Sequence, residues 1–144
     1  MEVEIREPQT KKQLWSYYDL RWKILRKPWN QPRGSEKDER ENESIHIVAV
    51  IGGKSVGVGR VHFNSKKEAQ IRYLAVEENY RGKGVGSLIL GALETHARTK
   101  GAKYIVLNSR ENVTGFYKKC GYRIIEPVHK LFGTIPHWKM KKEL

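Results

Sequence analysis

The chain has 144 residues, of which 38% are hydrophobic and 31% are charged, and this composition predicts a single domain, residues 1–144, with a sizeable core. No apolar run reaches the about 20 residues of a membrane span, and the N-terminus lacks the basic region and apolar core of a signal peptide. We therefore expect a cytoplasmic protein that does not enter the membrane. The single cysteine, Cys120, excludes an internal disulfide and a cysteine-rich metal site, and we expect no bound metal.

The formal net charge is +12 at pH 7. Such a charge either attracts an anionic cofactor or partner, or it reflects a lysine-rich solvated surface. A basic nucleic-acid-binding module is a further hypothesis, but the basic residues are scattered, and no helix-turn-helix, zinc-finger or RNA-stacking signature is present. We therefore do not expect a nucleic acid partner.

The N-terminal part is predicted to form a short strand, a helix and a polar connection. Residues 3–6 are typical of a strand, and the capping-box spacing of Thr10 and Gln13 starts an amphipathic helix that Pro28 ends. Residues 36–43 then carry five acidic side chains in an otherwise basic chain. This acidic segment is either a solvated loop or short helix, or it collects a cationic amine near a binding site.

The next part is predicted to form an antiparallel meander behind that helix. The alternation of apolar residues predicts strands over 45–51, 55–63 and 68–76. Gly52 and Gly53 suit a two-residue hairpin turn. Gly57 and Gly59 indicate a bulge or the close approach of another backbone.

The stretch from Gln70 to Leu93 predicts a strand, a glycine-rich loop and a helix. The loop reads Arg81-Gly82-Lys83-Gly84-Val85-Gly86. The first amides of a helix have no partner within it and carry the positive end of its dipole, and glycines let an anion approach them closely. Arg81 and Lys83 add formal charge. The stretch therefore predicts a phosphate-binding site.

Two common phosphate motifs do not fit this loop. A nucleoside triphosphate loop needs a Gly-Lys pair where the chain has Ser87-Leu88, and a dinucleotide fingerprint needs a third glycine at position 87. What does fit is R-x-x-G-x-G, at Arg81, Gly84 and Gly86.

The C-terminal half is predicted to contain two helices and three strands. The glycine loop leads into a helix that runs to about Lys100, with Gly101 as its cap. The remaining elements are predicted as a buried strand over 104–108, a helix over 111–119, and strands over 122–126 and 134–140, the last two joined by a loop carrying Pro127, His129 and Gly133. A strand-helix-strand order implies a parallel pair with a right-handed crossover.

Two motifs and the order of elements resemble the GNAT superfamily of acyl-CoA-dependent N-acyltransferases. The loop at Arg81, Gly84 and Gly86 is similar to its coenzyme A loop, and the segment from Phe116 to Tyr122 is similar to its F-Y-x-K-x-G-F signature. The resemblance covers nearly the whole chain. It implies a mixed α/β sheet with a mostly antiparallel N-terminal half, a central parallel strand pair around a coenzyme A cleft, and helices on both faces.

The resemblance also implies an acetyl-CoA-dependent N-acetyltransferase in which a primary amine attacks the thioester directly. Tyr117 occupies the position of the general acid that protonates the leaving thiolate. Many members have a cofactor-contacting asparagine where this chain has Arg110, so that contact is carried over to Asn112 or Arg110. The other implied cofactor contacts are the backbone amides of Leu74 and Val76 and the loop residues Arg81, Gly82, Lys83, Gly84, Val85, Gly86 and Ser87.

Several points stay open at this stage. The general base is Glu68, His62, His46 or no side chain at all. The acceptor is a small-molecule or peptide amine that the sequence does not identify, and acyl groups other than acetyl stay open. A homodimer through the C-terminal strands also stays open. The alternative function is a non-catalytic acyl-CoA-binding or sensor protein.

Overall fold

The computed structural model describes residues 2–131 and 135–144. The helices are α1 (Lys11–Leu25), α2 (Val85–Thr99) and α3 (Thr114–Lys119). The strands are β1 (Glu4–Arg6), β2 (Ile45–Ile51), β3 (Lys54–Phe63), β4 (Glu68–Val76), β5 (Tyr104–Arg110), β6 (Arg123–Leu131) and β7 (Ile135–Glu143). These strands form one sheet in the order β1-β2-β3-β4-β5-β7-β6. Within the described ranges, no helix is both long enough and apolar enough to cross a membrane.

The sheet is covered on both faces because β2 is apolar on both of its sides. Ile47 and Ala49 belong to the cluster that packs under α2, whereas Val48 and Val50 belong to the cluster under α1. The capping box at Thr10 is present and starts α1. Apart from the parallel pair β4–β5, the neighbouring strands are antiparallel. The predicted mixed sheet with helices on both faces is therefore confirmed.

Two glycines of β3 let α2 lie close to the sheet. A Cβ atom at Gly57 would meet Ile89 Cδ1 at 2.6 Å, and one at Gly59 would meet Ile89 Cγ2 at 2.8 Å and Leu93 Cδ1 at 2.9 Å. A register shift between β3 and β4 also occurs around Gly59. The glycines thus mark a bulge, as predicted, together with the close approach of side chains rather than of another backbone.

The central parallel pair is short, and this creates a cleft. Strands β4 and β5 are paired only from Glu68↔Tyr104 to Ile71↔Leu107. Two residues later, Tyr73 has a φ of +60°, a conformation that costs about 1–3 kcal/mol in a residue other than glycine. Beyond this point the two strands run on without pairing, so their C-terminal ends line opposite sides of a gap.

The C-terminal elements differ from the predicted ones in three places. Pro127 and His129, predicted in a loop, belong to β6, and β7 extends to Glu143. The predicted strand start at residue 134 and the loop residue Gly133 lie outside the described residues. The helix predicted over 111–119 begins as a 3-10 turn, Glu111–Val113, before α3. Because β6 is the edge strand, it tolerates a proline and charged residues that the apolar pattern would exclude from a central strand.

Candidate active site

A cleft of about 660 Å³ occupies the gap between the ends of β4 and β5. Its walls come from the C-terminal end of α1, from residues 71–76 of β4 and from residues 107–110 of β5. The glycine-rich loop, α3 and the turn before it complete the enclosure. The cleft therefore lies where the sequence predicted a coenzyme A site.

The glycine-rich loop presents main-chain amides to one end of this cleft. Gly82 and Gly84 have φ values of +73° and +84°, and a Cβ atom at either would have no neighbour within 4 Å. Gly84 is the N-cap of α2, and no side chain caps this helix. The first regular helix bond recorded is Leu88 N to Gly84 O, at 3.1 Å. The amides before Leu88 are therefore available to an anion at the helix N-terminus.

Strand β4 presents further amides to the cleft. The Glu77 amide donates to the Val56 carbonyl of β3 at 2.8 Å. Because amides alternate in direction along a strand, those of Val76 and Leu74 point away from β3, toward the side that β5 has left. Their side chains and backbones line the cleft. The Arg81 side chain lies beside them and donates Nε–H to the Val76 carbonyl at 3.0 Å.

Tyr117 lies in the cleft wall between the two strand ends. Its side chain is buried, and its ring centroid is 5.1 Å from that of Phe116 and 5.8 Å from that of Tyr122. Burial, and to a smaller extent Cys120, raises the pKa of the Tyr117 phenol. The hydroxyl is therefore protonated at neutral pH, as a proton donor must be, and it is a weaker acid than an exposed tyrosine.

The structure brings together nearly all the side chains that the sequence assigned to this site. Tyr117, Asn112, Leu74, Val76 and the loop residues line the cleft, with Lys83 as the exception. Lys83 is exposed, and its Nζ lies 5.8 Å from the centroid of the Tyr80 ring, outside the cleft wall. Arg110, the alternative to Asn112, also lines the cleft.

The three candidate bases from the sequence do not line the cleft. His46 lies with Nδ1 2.8 Å from the Tyr17 hydroxyl and Nε2 2.8 Å from the Glu41 carbonyl oxygen. His62 accepts at Nδ1 from Arg60 at 2.9 Å, and Glu68 accepts from the Asn64 amide at 2.7 Å. Burial lowers the pKa of both histidines, so both are structural groups held neutral. Among the described histidines, only His137 borders the cleft.

The acidic segment 36–43 is not a free collector of amines, because two of its acids are paired with arginines. Asp38 accepts from Arg60 at 2.6 and 3.1 Å and from Arg72 at 2.7 Å. Glu41 bridges Arg21 at 3.0 Å and Arg60 at 2.7 Å. Burial alone would raise the pKa of Asp38, but the hydrogen bonds from Arg60 and the neighbouring charges hold it far below its usual range. The segment ends in the short 3-10 helix Glu41–Glu43, and Glu39 and Glu43 are exposed, so the predicted solvated loop or short helix is partly confirmed. The amine-collecting alternative was wrong, because Asp38 and Glu41 are neutralised by arginines of α1, β3 and β4.

Four arginines surround the ring of one residue in the cleft wall, Tyr73. The ring of Tyr73 lies 4.2 Å from Arg21 Cζ, 4.5 Å from Arg72, 5.0 Å from Arg60 and 5.6 Å from Arg26. Cation–π attraction from several guanidiniums stabilises this ring in place, and with it the left-handed backbone of Tyr73. Arg26 and Arg72 line the cleft beside Tyr73. Sequence reasoning missed both residues. The available signal for Arg72, as for Arg60, was an arginine within an apolar strand, and Arg26, at the end of α1, had no such signal.

Comparison with known proteins agrees with this geometry. The model of the Acetyltransferase (GNAT) family matches residues 14–122. A Bacillus subtilis protein named uncharacterized N-acetyltransferase YjcF is 36% identical over 135 residues, which cover 94% of this chain and 96% of that protein. The chain therefore belongs to the GNAT family of acetyltransferases.

Solved structures share the fold at lower identity. An aminoglycoside 6'-N-acetyltransferase complexed with coenzyme A is 19% identical, with a TM-score of 0.82 and coverage of 99% of this chain and 97% of that one. A GNAT family acetyltransferase from Elizabethkingia anophelis with acetyl-CoA bound is 18% identical, with a TM-score of 0.77 and coverage of 99% and 98%. At these identities the likeness establishes the fold.

Proposed function

We propose that this protein transfers an acetyl group from acetyl-CoA to a primary amine in the cleft between β4 and β5. The observation that carries the proposal is the uncapped N-terminus of α2, preceded by two left-handed glycines, at one end of the cleft. Family membership and the coenzyme A and acetyl-CoA named for two structural relatives support the same conclusion.

The residues present fit this cofactor. The open space at Gly82 and Gly84 leaves the loop amides accessible to a diphosphate, and Val85, Gly86 and Ser87 supply the first turn of α2. Arg81, anchored on the Val76 carbonyl, adds a positive charge beside them. In this proposal, the Leu74 and Val76 amides hold the pantetheine arm and the acyl oxygen, Asn112 borders the cofactor from the other wall, and exposed Lys83 contributes only its charge.

Bound acetyl-CoA would supply a thioester. A neutral amine forms a nitrogen–carbon bond with the acyl carbon and loses a proton to water, while the carbon–sulfur bond breaks and the sulfur leaves with the electron pair and takes up a proton. The chain's contribution is to stabilise charge and to move that last proton. An amide of β4 aimed at the acyl oxygen stabilises the negative charge that develops there. Tyr117 donates its phenolic proton to the sulfur and regains it from solvent.

We further propose that no side-chain carboxylate takes the proton from the amine. Among the described residues, the cleft wall contains no aspartate and no glutamate. The amine then enters the reaction already neutral, with its proton lost to water. This is consistent with the positions of Glu68, His62 and His46, which are occupied in contacts outside the cleft.

The proposal is tested by mixing the purified protein with acetyl-CoA and a panel of small-molecule and peptide amines, and by detecting the free thiol. Calorimetry with acetyl-CoA alone measures binding separately. We expect saturable binding and amine-dependent thiol release. Binding without thiol release for any amine would favour the non-catalytic binder, and no binding at millimolar acetyl-CoA would contradict both functions.

A further inference from the structure

The part of the cleft wall around the ends of β4 and β5 is strongly basic. Arg26, Arg72 and Arg110 line this part, and no acidic side chain among the described residues lines any part of the cleft. Asp38 forms an ion pair with Arg72, but it shares the same carboxylate with Arg60. A polycationic amine would therefore meet an excess of positive charge here.

We propose that the amine acceptor carries an oxyanion, a carboxylate or a phosphate, and that Arg72 and Arg110 bind it. This inference rests on the proposed acetyltransferase function and narrows its substrate class. It excludes polyamines and the aminosugar class named for one structural relative as preferred acceptors. The guanidinium group binds carboxylates and phosphates with the same bidentate geometry. The experiment must therefore distinguish a carboxylate acceptor from a phosphate acceptor.

Arg110 is the residue on which the inference depends most. It ends β5 at the point where β4 has diverged, and it is half-buried in the cleft wall. No hydrogen bond or ion pair joins its guanidinium to an acidic residue within the described ranges, and its contact is with the Trp29 ring, 5.7 Å from Cζ. Burial, together with the charges of Arg26 and Arg81, lowers its pKa. A half-buried cation beside like charges is expected to bind an anion from outside the protein.

The wider charge balance supports the same reading. Guanidiniums outnumber carboxylates around Tyr73 and the adjoining cleft in the described part of the chain. The cations are Arg21, Arg26, Arg60, Arg72 and Arg110, and the carboxylates are Glu36, Asp38 and Glu41. Arg60 and Arg72 even lie directly opposite each other on β3 and β4. Asp38 offsets that repulsion, but it leaves the face of Arg72 that borders the cleft without a second carboxylate.

This arrangement also explains how the amine loses its proton without a carboxylate base. Nearby positive charges favour the neutral form of an amine and lower its pKa. An acceptor held by its oxyanion between Arg72 and Arg110 places its amino group in that field. The same arginines would then bind the acceptor and increase the fraction of it that is neutral.

The first experiment uses the unaltered protein and matched acceptors that differ only in charge. Thiol release is measured for α-amino acids against their carboxamides, for O-phosphoethanolamine against ethanolamine, and for putrescine. We expect kcat/KM to be at least about 10-fold higher for the oxyanion member of the preferred pair. The pair that shows the larger ratio distinguishes a carboxylate from a phosphate. Equal values in every pair, or a preference for putrescine, would overturn the inference while leaving the acetyltransferase function intact.

The second experiment compares Arg110→Gln with Arg98→Gln, which removes an exposed arginine from the last turn of α2. We expect Arg110→Gln to lower kcat/KM for the oxyanion acceptor about 10-fold, to leave its neutral partner unchanged, and to leave the acetyl-CoA Kd unchanged. The pH at which kcat is half-maximal should move upward, because a lost cation raises the pKa of the bound amine. Arg98→Gln should change none of these.

Two further outcomes separate the inference from the function on which it rests. Weaker acetyl-CoA binding in Arg110→Gln would place Arg110 on the cofactor and overturn its assignment to the acceptor. If no amine releases thiol, the inference is tested by calorimetry, in which the matched acceptors of the first experiment are titrated into protein saturated with coenzyme A. Selective binding of the oxyanion member would support the oxyanion site even though the transferase function had failed. Equal binding of both members of every pair would overturn the oxyanion site.

Discussion

The two ends of the cleft are built from different parts of the polypeptide. The proposed cofactor end is formed by main-chain amides of one continuous stretch, from Leu74 to Ser87. The proposed acceptor end is formed by side chains from the end of α1, from β4 and from β5, and the acids of the 36–43 segment hold some of these side chains in place. A site of amides depends on backbone conformation, whereas a site of arginines depends on the balance of charges around it. The two ends should therefore fail in different ways.

The largest expected effect is a loss of stability at the acceptor end. Asp38→Asn removes the charge that lies between Arg60, which is fully buried, and Arg72. Removing one partner of a buried pair costs about 3–5 kcal/mol. Because Glu41 still pairs with Arg60, we expect the free energy of unfolding to fall by about 3 kcal/mol, the lower end of this range. Urea unfolding measures this, and Glu39→Gln, in the same segment but exposed, is the control. At urea concentrations below the unfolding transition, the acetyl-CoA affinity should be unchanged. A decrease in the free energy of unfolding of less than about 1 kcal/mol would argue against a stabilising role for the ion pairs of Asp38.

The next effect concerns the chemistry where the two ends meet. Tyr117→Phe removes the proposed proton donor but keeps the ring that packs against Phe116 and Tyr122. We expect kcat to fall about 100-fold, with an unchanged acetyl-CoA Kd. Tyr104→Phe removes a tyrosine hydroxyl outside the cleft and serves as the control. Unchanged turnover in Tyr117→Phe would show that another group protonates the thiolate.

A backbone substitution tests the cofactor end. Gly84→Val places a β-branched side chain at a φ of +84°, and relief of about 1–3 kcal/mol of strain would rotate the loop amides away from the diphosphate. We expect acetyl-CoA to bind at least about 10-fold more weakly by calorimetry. Gly34→Val, at a φ of +101° outside the cleft, carries comparable strain and should leave the affinity unchanged. Equal affinities for the two variants would contradict the amide site.

The smallest effect is a pH dependence of stability from His62. Burial, with the charges of Arg60 and Arg40, lowers the pKa of His62 in the folded protein from 6.5. Below pH 6.5 the unfolded chain therefore takes up this proton first, so stability falls as the pH decreases and is unaffected above that value. We expect His62→Gln to show a shallower decrease of Tm between pH 6.5 and 5 than the unaltered protein, the rest of the decrease coming from His46. His96→Gln on α2 is the control, and an identical slope in His62→Gln would disprove the assignment.

The same contrast explains which parts of the site the sequence could predict. Gly82 and Gly84 specify a local backbone conformation, and Gly86 lets Phe116 pack closely against α2, so a short motif is enough to locate the proposed cofactor end. Tyr117 is predicted because it belongs to the second motif, the segment from Phe116 to Tyr122. The strands and helices that position them also follow from local periodicity, except at the edge strand β6, where partial exposure removes the apolar pattern.

The acceptor end depends on contacts between distant parts of the chain. Arg72 and Arg110 face the cleft only because β4 and β5 diverge after Ile71 and Leu107. The acidic segment looked like a solvated loop because its partners, Arg21 and Arg60, lie in elements before and after it. No local pattern encodes which charges neutralise each other, and so neither the roles of Asp38 and Glu41 nor that of Arg110 could be assigned from the sequence.

A structure with coenzyme A bound tests the account most directly, because it locates both ends of the cleft at once. We expect the diphosphate to bind the amides of residues 82–87 and the thiol to lie beside Tyr117 and the β4 amides. The guanidinium groups of Arg72 and Arg110 should lie beyond the sulfur and contact no cofactor phosphate. A diphosphate bound away from the loop, or Arg110 bound to a cofactor phosphate, would contradict this division of the cleft.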